Sequence, residues 1–115
     1  MNSEYVTVVG AGPVGLVAAV SLIENGIPVI VLEESADLAV DLRASTFHPP
    51  TLEFLDNLNL ADDLISRGIK CPFWQFRDRK KGEIATFDLG LLKDYTNHPY
   101  RLQAEQWKLT ETARK

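Results

Sequence analysis

Val6-Thr7-Val8-Val9-Gly10-Ala11-Gly12-Pro13-Val14-Gly15-Leu16 is the stretch on which the fold turns. Tyr5 to Val9 is short, β-branched and closed by Gly10, which is the pattern of a buried strand. From Val14 to Asn25 the pattern changes. Leu16, Val20 and Ile23 recur at helical spacing, with Ala18 and Ala19 beside them, and Gly26 stands where a helix end is expected. Pro28 to Leu32 is a second apolar strand, ended by Glu33-Glu34. Strand, helix and strand within about thirty residues make a βαβ unit, with parallel strands and a right-handed crossover.

The three glycines fall where a phosphate-binding turn needs them, directly after a strand and at the opening of a helix. Gly10 permits the sharp turn. Gly12 lets a pyrophosphate approach the backbone, and Gly15 lets the helix pack closely. Pro13 lies within this turn. The amides near Val14 and Gly15 would point at the phosphate, aided by the positive end of the helix dipole. Glu33 stands 18 residues beyond Gly15, where a carboxylate accepts hydrogen bonds from the adenosine ribose and repels a 2′-phosphate. The fingerprint reads the ADP shared by NAD and FAD. By itself it leaves that choice open.

Downstream, residues 35–48 lack periodicity and read as loop. Pro49 and Pro50 suit a helix start, and Leu52, Leu55 and Leu58 supply its apolar stripe. Asn59 suits a left-handed helix end, and a second short helix is expected from Ala61 to Arg67, before Gly68. A β-hairpin is expected at about 72–90. Phe73, Trp74 and Phe76 precede a charged turn at Arg77 to Lys81, with Ile84, Thr86 and Phe87 after it. Leu102 to Arg114 reads as helix. One βαβ unit is too little for a doubly wound sheet, so the 115 residues are expected to be the N-terminal part of a longer domain. The missing C-terminal portion would be their first partner.

Composition narrows the class. With 45% hydrophobic and 24% charged residues, the chain is an ordinary globular sequence. A net charge of −4 without a basic block argues against nucleic acid or an anionic membrane surface as partner. A lone Cys71 forms no internal disulfide and fits a reducing compartment. No signal peptide or membrane span is read, so cytoplasm is the expected location.

Several residues that could carry chemistry read more simply as structure. His48 and His98 precede prolines in loops, without an evident partner. Cys71 reads as buried packing, and Arg77 to Lys81 as a solvated turn. Phe73, Trp74 and Phe76 read as alternating core aromatics, and Trp107 as packing. No zinc-type spacing is present, so no metal is expected.

The stretch 10–16, closed by Val31-Leu32-Glu33, resembles the opening of FAD-dependent aromatic-ring monooxygenases, the para-hydroxybenzoate and phenol hydroxylase relatives. Leu42-Arg43-Ala44-Ser45, Pro50 to Leu55 and Leu58-Asn59-Leu60 are similar to the segment that follows in that family, with Asn59 where the family usually has glycine. Tyr100 to Gln106 is similar to its segment opening the next helix. The resemblance implies an α/β fold with a Rossmann-type βαβ FAD-binding domain, and a hairpin insertion at about 72–90 belonging to a substrate domain. It implies FAD as cofactor, NAD(P)H as reductant and a small aromatic molecule as substrate. Homo-oligomeric assembly stays open. It also implies Arg43 at the FAD phosphates and Gln103 on the flavin side, beside Gly10, Gly12, Pro13, Val14, Gly15 and Glu33. No catalytic residue is assigned, because the flavin carries the chemistry. Two alternatives remain: another FAD- or NAD-dependent oxidoreductase sharing the fingerprint, and a truncated fragment without activity.

Overall fold

The computed structural model describes residues 4–115. β1 (Val6–Val9) pairs in parallel with β2 (Val29–Leu32), in register from Val6 opposite Val29 to Val9 opposite Leu32. Between them runs α1 (Pro13–Glu24). Its C-terminus closes as expected at Asn25-Gly26. Gly26 N–H donates to Ile23 O at 2.8 Å and Ile27 N–H to Leu22 O at 3.0 Å, the pair of reversed bonds that satisfies the last free carbonyls. Leu16 and Ala19 form the buried side of α1.

The loop expected over 35–48 ends in a strand, β3 (Thr46–Phe47). α2 (Pro49–Asp56) and α3 (Ala61–Ser66) follow. Asn59 has φ 57° and makes the left-handed turn between them, as its short polar side chain allows. β4 (Ile69–Cys71) was not anticipated from the sequence. The hairpin is present as β5 (Phe73–Asp78) and β6 (Gly82–Asp88), and a short 3-10 turn follows at Leu89–Leu92.

The expected helix from Leu102 is corrected most. Arg101–Gln103 is a strand, β7, and α4 spans Gln106–Arg114. β7 lies between β3 and β4 and is antiparallel to both. Its neighbours in space are 30 to 57 residues away in sequence, so nothing local marks it as extended. The helix formers after Leu102 carry the opposite signal, and the two-sided pairing overrides it.

The core gathers on one side of this small sheet. Leu52, Leu55, Leu64 and Leu102 are fully buried, and Phe47, Leu58, Leu60, Tyr100 and Leu109 surround them. Each fully buried leucine contributes about 1.5–3 kcal/mol relative to exposure. α4 packs on α1 and α3 and so joins the βαβ unit to this core.

Phe73, Trp74 and Phe76 are not core residues. They are 58%, 46% and 52% exposed, since both faces of the hairpin are open among the described residues. Trp74 and Phe76 stack at 5.7 Å and Phe76 meets Phe87 edge-on at 6.1 Å, so the aromatics pack mainly on one another, with Trp74 also facing the His48 ring at 6.3 Å. Cys71 is half-buried rather than buried. Among the described residues no helix is long and apolar enough to cross a membrane.

Candidate dinucleotide-binding site

The site begins in the backbone between β1 and α1. Gly10 donates its N–H to Leu32 O at 2.7 Å and has φ 99°, a conformation open to glycine and costly for other residues. A Cβ on Gly15 would stand 2.0 Å from the Gly10 carbonyl oxygen and 3.3 Å from Val8 Cγ1. Glycine is thus obligatory there for the helix to sit against the turn. Gly12 is the opposite case, because a Cβ on it would meet no atom within 4 Å. It borders open space in front of the helix.

Gly12 is also the N-cap of α1 and has no side chain to satisfy the first turn. No acidic residue occupies that turn. Its amides and the positive end of the helix dipole are therefore unspent by the protein.

Glu33 leaves the end of β2 and reaches back to the turn. Its Oε2 accepts the Ala11 N–H at 2.7 Å, and its Oε1 accepts the Ser35 N–H at 3.0 Å. These bonds, the Ala11 bond foremost, hold its carboxyl below the usual glutamate range. The carboxylate is ionised at neutral pH and fixed at the mouth of the turn.

Ala11, Gly12, Pro13, Glu33 and Arg43 line one cavity of about 350 Å³. That volume is at the lower end for small-molecule sites. Gly10 and Gly15 shape the backbone behind it. Val14 lies outside it and borders an adjoining apolar groove between α1, α2 and α4, with Phe54, Leu55 and Leu109. Arg43 is exposed and ion-paired with Asp41, Nε to Oδ2 at 2.8 Å.

Gln103 is not among the residues lining the cavity. It sits on β7, opposite Thr46 on one side and Ile69 on the other. Gln106 lines the cavity instead, from the first turn of α4 beside Trp107. The two glutamines are three residues apart, and only the point where strand gives way to helix separates them. Glu105, extended at φ −67° and ψ 137°, marks that point. The half-buried Trp107 is thus both packing and cavity wall.

His98 lies outside the cavity and does have partners. It is buried, with Nδ1 at 2.9 Å from the Tyr100 hydroxyl and Nε2 against Asp56 Oδ2. The three side chains bind the end of α2 to the entry of β7.

The sequence pattern described as FAD binding domain matches residues 4–113. Para-nitrophenol 4-monooxygenase of Pseudomonas sp. (strain WBC-3) is 39% identical over 99 residues, which are 86% of this chain and 25% of that protein. 6-Hydroxy-3-succinoylpyridine 3-monooxygenase of Pseudomonas putida (strain DSM 28022 / S16) is 34% identical over 107 residues, 93% of this chain and 27% of that protein. The crystal structure of p-nitrophenol 4-monooxygenase from Pseudomonas putida DLL-E4 superposes with a TM-score of 0.87 at 34% identity, over 96% of this chain and 29% of that one. This chain spans about a quarter of the length of the curated relatives it matches.

Proposed function

Since the chain belongs to the FAD binding domain family, we propose that this cavity holds the ADP half of FAD. One observation carries the residue assignment: an uncapped helix start, an open face at Gly12, a fixed carboxylate and a guanidinium meet in one cavity. Gly12, Pro13 and the amides of Val14 and Gly15 would hold the pyrophosphate. Glu33 accepts from the ribose hydroxyls. Arg43 adds charge at the phosphates, which a guanidinium can contact with two parallel donors. The same Glu33 charge disfavours a 2′-phosphate, so NADP is not the ligand here. Gln106 faces this ADP cavity, and Gln103, on β7, keeps its proposed place on the flavin side.

For the whole protein the reading is an oxidoreductase, a flavoprotein monooxygenase acting on a small aromatic molecule. Bound FAD would supply the electron transfer from NAD(P)H to oxygen that ring hydroxylation needs. These 115 residues supply the grip and the placement. The domain reading is an FAD-binding unit over residues 1–115 with the hairpin at about 72–90 as an insertion toward the substrate. A cytoplasmic location and a Rossmann-type sheet completed by further C-terminal chain belong to the same reading.

The test is Gly12→Val. The space at Gly12 is open and its φ of −73° suits any residue, so folding should be unaffected while bound pyrophosphate is excluded. Circular dichroism should match the parent, and FAD titrated by flavin fluorescence should bind at least about a hundredfold more weakly, from loss of the phosphate contacts. Equal affinity would move the cofactor elsewhere.

A further inference from the structure

Arg43 reaches the cavity already held. Asp41, two residues before it, also lines the cavity and takes the guanidinium through one atom only, Nε. The Arg43 backbone N–H donates to the Asp41 carbonyl at 3.1 Å, so main chain and side chain are pinned to the same residue. Among the described residues, neither Nη of Arg43 has a hydrogen-bond partner. A guanidinium held by its Nε still presents the two Nη groups, which together can meet two phosphate oxygens.

The charges nearby explain why such a holder matters. Glu33, Glu34, Asp37 and Asp41 line the cavity, and Arg43 is the one cation among its lining residues. An unheld arginine could turn to any of these carboxylates, and only some orientations would leave a paired edge for an anion. Asp41 selects one. It adds a negative charge near the phosphates, which works against binding, yet that charge is exposed and screened. Immobilising an unheld arginine on binding costs about threefold to tenfold in affinity, as for other side chains with many rotamers.

We propose that Asp41 is a positioning residue for the dinucleotide phosphates, acting through Arg43 by its hydrogen bond rather than by its charge. The proposal rests on the reading of Arg43 given above, and the experiment separates the two. FAD affinity is measured on the intact protein for Asp41→Ala, Asp41→Asn, Arg43→Ala and the Asp41→Ala/Arg43→Ala double variant. Arg43→Ala should bind more weakly than the parent. Asp41→Ala should bind about threefold to tenfold more weakly, from restored rotamer freedom. Asp41→Asn keeps an oxygen that accepts from Nε and should bind within about twofold of the parent, or tighter. In the Arg43→Ala background, Asp41→Ala should change nothing, because the two act as one unit.

Asp41→Ala binding as well as the parent, or tighter, while Arg43→Ala is impaired, would overturn the positioning role and leave the phosphate reading standing. A loss of the same size with and without Arg43 would also overturn it. Unchanged affinity in Arg43→Ala would remove the phosphate reading and this proposal together.

Discussion

The βαβ unit and the leucine core contrast in both legibility and burial. In the first, Val9 is 82% and Val14 83% exposed; in the second, Leu102 and Leu52 are fully buried. The motif that announces the cofactor is thus less covered than the leucine core. The part that holds the molecule together carries no chemical signature. A binding turn is encoded by a few residues in a row, whereas a core is encoded by leucines scattered from Leu52 to Leu109. The site is steady because α1, which ends it, packs on α4, which closes the core.

The sharpest test of that contrast is Leu102→Ala. It empties a fully buried place on the central strand and should cost about 2–5 kcal/mol in urea unfolding. A cost below about 1 kcal/mol would place the real core elsewhere. Next comes Gly15→Ala, whose added carbon would strike the Gly10 carbonyl. Such overpacking should cost about 1–3 kcal/mol and weaken FAD binding with it. If it melts and binds like the parent, the turn and the helix are not in contact.

Glu33→Ala should weaken FAD binding about tenfold, from lost charge-assisted bonds. The pH dependence has a definite sign. The Glu33 carboxyl is held below its usual range, so its contact with the turn is complete at neutral pH. It fades only as pH falls through that lowered value. A binding step near neutrality would belong to another group.

Tyr100→Phe should cost about 1 kcal/mol, since it removes the hydroxyl bonded to His98. Burial, with the charges of Asp56 and Asp62, pushes the Tyr100 phenol above its usual range. The folded state therefore holds that proton more tightly, and stability should decline as pH rises past the ordinary tyrosine range. The smallest effect is expected from Val9→Ala, within about 0.5 kcal/mol despite its place in the motif. A large cost there would erase the contrast.

What could be read in the sequence follows the same division. β1, α1, β2, the turn at Asn59 and the hairpin were all legible because their signals are local: β-branched runs, helical spacing, residues suited to left-handed backbone. β3, β4 and β7 are two or three residues each and exist only through pairing with distant segments. The helix expected at Leu102 and Gln103 gave way to strand for that reason, since helix formers on either side concealed it. The aromatic alternation of the hairpin was read correctly as strand and wrongly as core. Alternation reports a face, and whether that face is covered depends on other chain. Gly12, Pro13, Glu33 and Arg43 meet in one cavity, and Gln106 and Asp41 emerged only from the structure.

The place of β7 has a consequence for how the molecule is made. The strand at the centre of the sheet is the last of its three strands to leave the ribosome. Phe47 waits 55 residues for Leu102, its partner in the ladder. At about 5–20 residues per second that is roughly 3–11 seconds of synthesis. Throughout that interval the leucines of α2 and α3 have no sheet to close against. The nascent chain must carry them as open apolar surface until β7 is made.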